Sequence, residues 1–143
     1  MAAFNRYNIF AEDLANKIHD LFGTTDTLKV LLSNTAPNAA THAVKADATE
    51  ISAGNGYSAG GVDIDNDGTR STNVVTVTAA DKTITASGGS IGPFRYAILY
   101  NDTPTSPADP LIGWWDYGSS ITLADGESFT LDFGASLLTI TAS

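Results

Sequence analysis

The spacing of large apolar residues changes along this chain, and the change divides it into regions. Between Phe4 and Phe22, the residues Phe10, Leu14, Ile18 and the pair Leu21/Phe22 recur at intervals of three and four, with Glu12, Asp13, Asn16, Lys17 and Asp20 between them. That period predicts one amphipathic helix over 4–22, with a single stripe to bury. Gly23 stands where a helix C-cap belongs, and the run Thr27-Leu28-Lys29-Val30-Leu31-Leu32 then reads as a short apolar strand. From Thr35 to Thr72 large apolar groups are sparse and the text is rich in Ala, Gly, Asn and Asp, as in Ala53-Gly54-Asn55-Gly56-Tyr57-Ser58-Ala59-Gly60-Gly61. Such a stretch cannot bury enough area to stand alone, so a long glycine-rich loop region is expected over 35–72, draped on a sheet or ordered by a neighbour.

From Asn73 the period becomes two. Val74-Val75-Thr76-Val77-Thr78, Thr83-Ile84-Thr85, Phe94 to Tyr100, Leu111 to Trp115, Ser120 to Leu123, Phe129 to Phe133 and Leu137 to Ile140 are strand-like runs, with turn signals about every 8–12 residues. Phe129, Leu131 and Phe133 alternate with Thr130 and Asp132, which puts one face in a core and the other in water. Ala124-Asp125-Gly126-Glu127 reads as a tight turn, and the Pro-rich stretch from Asn101 to Pro110 as a surface excursion. The expected fold is mainly β, an antiparallel β-sandwich of jelly-roll-like kind with one N-terminal amphipathic α-helix. A length of 143 residues fits one domain over 1–143, with the helix at 4–22, the loop region at 35–72 and the main strand region at 73–143.

Composition narrows the chemistry. With no cysteine, thiol catalysis, zinc-thiolate sites and disulfide frameworks are excluded. A formal charge of −9 repels a phosphate backbone, so no direct nucleic-acid partner is expected. No apolar run approaches the roughly 20 residues that span a bilayer. The start Met1-Ala2-Ala3-Phe4-Asn5-Arg6 lacks a signal peptide's apolar stretch, so synthesis in the cytoplasm and no membrane partner are expected. After Arg95 there is no Lys or Arg, while Asp102, Asp109, Asp116, Asp125, Glu127 and Asp132 remain. This acidic third reads as a solvated face, or as a surface that docks on a basic protein partner.

Each candidate motif has a bland reading beside the sharp one. Asp63, Asp65 and Asp67, followed by Gly68, resemble the opening of a calcium loop, yet the twelfth position is Val74, where a bidentate Glu is needed. An acidic turn without metal is therefore expected; Ca²⁺ is the cofactor that these three carboxylates would take if any were bound. His19 and His42 lack metal-ligand spacing, and no serine sits in a Gly-x-Ser-x-Gly elbow, so no catalytic residues are assigned. Trp114 and Trp115 are adjacent and must face opposite sides of a strand, so one joins the core and the other is a shielded surface ring or a subunit-contact anchor. Phe10, Leu14, Ile18, Trp114, Trp115 and Tyr117 are the interface candidates.

Longer stretches of text carry a resemblance. They are Thr27-Leu28-Lys29-Val30, Ser33-Asn34-Thr35-Ala36-Pro37, Ala53-Gly54-Asn55-Gly56-Tyr57, the block from Ser87 to Asp102 containing Gly92-Pro93-Phe94-Arg95-Tyr96-Ala97-Ile98-Leu99-Tyr100, the block Pro110 to Ser120, and Gly126-Glu127-Ser128-Phe129. The chain resembles small structural proteins in the virions of tailed bacteriophages over most of its length, departing chiefly around Asp63 to Thr72. The resemblance implies a non-enzymatic, β-rich virion component present in many copies, with no catalytic or cofactor residues to carry over. Its leading form is a head decoration protein that cements the capsid, with the major capsid protein or another virion protein as partner, homo-oligomeric, and located in the virion. A tail fibre, tube or tip protein of the same kind of virion is the alternative, and a carbohydrate-binding β-sandwich is another.

Overall fold

The computed structural model describes residues 2–142. It is mainly β and antiparallel, with 45% of residues in strands and 7% helical. In chain order the elements are β1 (Phe4–Arg6), α1 (Ile9–Ala15), β2 (Leu28–Ser33), a 3₁₀ turn (Lys45–Asp47), β3 (Val62–Asp63), β4 (Asp67–Ser71), β5 (Val74–Thr78), β6 (Lys82–Thr85), β7 (Ile91–Asn101), β8 (Leu111–Leu123), β9 (Ser128–Leu131) and β10 (Leu138–Thr141). They form a five-stranded sheet in the order β1-β8-β7-β2-β3, a three-stranded sheet β10-β5-β4, and the pair β6-β9.

The apolar faces of these sheets meet in one core, a sandwich-like arrangement. Leu28, Val30 and Leu32 of β2, Ala97 and Leu99 of β7 and Ile112 and Trp115 of β8 enter it from one side; Val77, Ile84, Leu131 and Leu138 enter it from the smaller sheets. Alternation sends Leu31, Tyr96, Ile98, Tyr100 and Leu111 to the opposite face of the large sheet, where Tyr7 closes a second buried cluster. Both faces of β2 beyond Lys29 and of the C-terminal half of β7 are thus covered, which is why Val30–Leu32 and Tyr96–Tyr100 read as apolar runs.

The long helix expected over 4–22 is corrected to a strand, a seven-residue helix and a turn. Phe4–Arg6 pairs with β8, Phe4 opposite Trp115 and Arg6 opposite Gly113. Phe4 lies where a side chain at 113 would stand, and its ring centroid is 4.8 Å from that of Trp115. The helix then ends well before Gly23, because Lys17 takes a φ of +64° and the Ile18 amide donates to the Asp13 carbonyl. The periodic residues beyond it still bury, Leu21 at 5% exposure, but from an irregular segment.

The loop region expected over 35–72 also contains more order than its text suggests. Val62–Asp63 pairs with the edge of β2, and Asp67–Ser71 pairs with β5. The side chains of Asp67, Thr69 and Ser71 are exposed, so β4 contributes backbone pairing without an apolar signal. Finally, the two runs Leu111–Trp115 and Ser120–Leu123 are one strand. Asp116, opposite Tyr96, stays in register, and irregularities in the β7–β8 ladder absorb the polar stretch between them.

Candidate functional site

The residues expected to make contacts separate by burial. Phe10 and Trp115 are 3% exposed and belong to the core; the Trp115 ring also lies 5.4 Å from that of Phe133. Trp114 takes the opposite face, half-buried, with its ring 4.7 Å from Tyr7. Tyr117 is half-buried with Phe129 edge-on at 5.0 Å. Leu14 and Ile18 are half-buried, and Leu14 lines an open apolar groove.

That groove is built by residues far apart in the chain. The end of β1 and the residue after it supply Arg6 and Tyr7, α1 supplies Phe10, Ala11 and Leu14, and β10 supplies Ile140, around a volume of about 430 Å³. Leu14 and Ile140 also border a second hollow of about 240 Å³, completed by His19, Asp20, Leu21, Phe22 and Val75. Phe22, 39% exposed, is the exposed large hydrophobic residue among the described residues. Arg6 marks the rim: its Nη2 donates to the Thr139 carbonyl at 2.7 Å, and its guanidinium stands 5.9 Å from the Phe10 ring. Among the described residues the ion pairs are Lys29–Asp102, Lys82–Asp65 and Arg95–Asp116, so neither Arg6 nor the exposed Lys17 has a carboxylate partner. Apolar walls with Arg6 at the rim offer contact area to a partner carrying apolar and acidic groups.

The loop layer on the other face is pinned by one carboxylate. Glu50 Oε1 accepts from the Tyr57 hydroxyl and the Gly60 amide, both at 2.7 Å, while the Tyr57 hydroxyl accepts from the Leu32 amide at 3.0 Å. The Tyr100 hydroxyl donates to the Gly60 carbonyl at 2.6 Å. Burial pushes both phenols above their ordinary range, so they remain donors at any physiological pH. This network holds a surface in shape.

Asp63, Asp65 and Asp67 do not converge. Asp63 accepts from the Asp65 amide and Asp67 from the Gly68 amide, while Asp65 pairs with Lys82. Among the described residues no cluster of His, Asp and Glu has the arrangement of a metal site. No helix among them is long and apolar enough to cross a membrane.

Sequence reasoning missed Ile140 as a groove wall, Val75 as a wall of the second hollow, Glu50 as the pin of the loop layer, and Asn101, which was read into the surface excursion but is fully buried. Asn101 left one trace, a polar residue directly after an apolar strand. Asp13, read as one of the polar residues off the helix's apolar stripe, is instead buried at 6% exposure, with its Oδ2 lacking any hydrogen-bond partner. Burial, aided by Glu12, raises the Asp13 pKa above the usual carboxylate range. A raised folded pKa favours the protonated form, so stability is fullest below the ordinary aspartate pKa and declines as pH rises through the folded value. Asp13→Asn is expected to stabilise the protein at pH 7 by about 1 kcal/mol, a few degrees in Tm, with the gain vanishing near pH 3. Thermal melts of both proteins across pH check it, and a gain independent of pH refutes it.

Fold and site together define a mainly β protein with an open apolar groove beside a short helix. Set against known proteins, the chain matches no family model, no curated protein and no solved structure.

Proposed function

We propose that this protein is a non-enzymatic structural component of a tailed-bacteriophage virion, a head decoration protein that binds the outer capsid surface and stabilises the shell. The reading rests on the resemblance of the Ser87–Asp102 and Pro110–Ser120 blocks to such proteins. The observation that supports adhesion is the groove formed by Arg6, Tyr7, Phe10, Ala11, Leu14 and Ile140, an apolar surface open to a partner. Its walls come from packed elements of a body with two buried clusters, so little ordering is needed on docking. In this role the protein acts as a homo-oligomer on the major capsid protein and needs no cofactor. Many copies of a modest contact then stabilise the shell by mass action.

The test is co-sedimentation of the purified protein with expanded capsid shells that lack it. Saturable binding is expected, and Leu14→Asp, which places a charge on the half-buried groove wall, should weaken it at least tenfold, or about 1.4 kcal/mol. Circular dichroism establishes that the variant is folded. Binding to purified tails but not to shells assigns the protein to the tail, and binding to neither rejects the virion reading.

A further inference from the structure

The irregular segment between α1 and β2, residues 16–27, covers part of the apolar core, and a small polar cluster holds it down. Its centre is Asn101 at the end of β7. The Asn101 amide nitrogen donates to Asp26 Oδ2 at 2.7 Å and lies 3.1 Å from His19 Nδ1. Its amide oxygen accepts from the Thr103 backbone at 3.1 Å, and its backbone amide donates to the Pro110 carbonyl at 3.0 Å. The Asp26 carboxylate and the Thr103 amide fix which way the side-chain amide faces. Turning it over would set its oxygen against the Asp26 carboxylate and its NH₂ against the Thr103 N–H.

The orientation of Asn101 dictates the state of His19. Its Nδ1 must offer a lone pair, so the proton sits on Nε2, which is buried and has no hydrogen-bond partner. The ring lies 5.5 Å from that of Phe10. A second proton would have to go on Nδ1, where it meets the Asn101 donor head-on.

We propose that His19 and Asn101 form an acid-sensitive latch: protonation of the imidazole breaks its contact with Asn101 and releases the 16–27 segment, which supplies His19, Asp20, Leu21 and Phe22 to the wall of the apolar hollow. Release would widen the hollow along its remaining walls, Leu14, Val75 and Ile140. The charged groups on the elements around the ring are Asp20 and Asp26 on its own segment, Glu12, Asp13 and Lys17 on or just after α1, and the Asp102–Lys29 pair beyond Asn101. Asp26 attracts a proton to the ring. Asp20 is committed to Thr24, Thr25 and the Phe22 amide, and these hydrogen bonds, that from the Thr24 hydroxyl first, hold its pKa down to about 2. Burial outweighs the pull of Asp26 and lowers His19 from 6.5 to about 4. With the folded value depressed, the contribution to stability is complete above pH 6.5 and is lost as pH falls toward 4.

Hydrogen exchange read by mass spectrometry, corrected for the intrinsic effect of pH, tests the latch. Between pH 7 and pH 4.5 the 16–27 peptide of the wild type should lose at least tenfold in protection relative to peptides from β2 and β7. In His19→Gln, whose amide oxygen can still accept from Asn101 but cannot titrate, the relative protection should not change with pH. Equal behaviour of the two proteins, or constant protection in the wild type, overturns the proposal. An NMR titration of the wild-type ring stands independently of the variant's folding: a His19 pKa at or above 6 also overturns it.

Discussion

Trp115→Ala is expected to destabilise the protein by about 3–5 kcal/mol, the range for emptying a fully buried aromatic site. The ring is 3% exposed and sits between the edge strand β1 and the segment that follows β9. It packs on Phe4 of the edge strand β1 and on Phe133 beyond β9, while its neighbour across the ladder in β7 is Ala97, too small to fill the void. Trp114, one residue away on the other face and half-buried, is the internal control. Its replacement by alanine should cost about 1–2 kcal/mol, the reduced transfer value of a partly covered ring. Urea unfolding followed by far-UV circular dichroism reads both, and an equal or larger loss for Trp114 would reverse the assignment of the two faces.

A comparably large effect is expected from a single methyl group at Gly61. The backbone there has a φ of +80°, and a Cβ would overlap the Val30 carbonyl oxygen while standing 2.6 Å from the Val30 carbonyl carbon and 2.8 Å from Leu31 Cα. Those atoms belong to the fully buried heart of β2 and have nowhere to move. Left-handed strain costs roughly 1–2 kcal/mol and forced overpacking roughly 1–3 more, so Gly61→Ala should lose about 2–5 kcal/mol. Gly118→Ala separates the two causes, because that position has a φ of +86° with nothing within 4 Å of the added carbon. It should lose only the backbone part, about 1–2 kcal/mol. Thermal melts compare the variants; a loss at Gly61 no greater than at Gly118 would show that β3 yields without disturbing β2.

The fold was legible where side chains alternate over a continuous run. Val74–Thr78 and Thr83–Thr85 lie in the strands that bear them because a one-sided buried face leaves a period-two trace in the text, and Phe94–Tyr100 lies in β7 because two covered faces leave an apolar run. The N-terminal region misled for a specific reason. Phe10, Leu14, Ile18 and Leu21 are all apolar and all turn inward to some degree, yet only the first two lie in the helix. Periodicity reports burial, and an irregular segment that returns to the core every few residues imitates a helix. The groove was half legible, since Phe10 and Leu14 stood out but Ile140 lies on a strand whose own pattern is explained by the core, as does Val75 in the neighbouring hollow.

What the amino-acid order determined by itself was the β class, the antiparallel runs, the opposed directions of the two tryptophans and the lack of thiol chemistry. These follow from residue type and local alternation, which each segment carries within itself. Tertiary structure decided the rest: that Phe4–Arg6 joins β8, that exposed Asp67–Ser71 becomes a strand, that Asp13 and Asn101 are buried, and that α1 and β10 enclose a groove. Edge pairing uses backbone groups common to all residues, and burial of a polar side chain depends on what arrives from elsewhere in the chain. The first leaves no mark on local sequence, and the second left only the polar residue that closes the apolar run of β7.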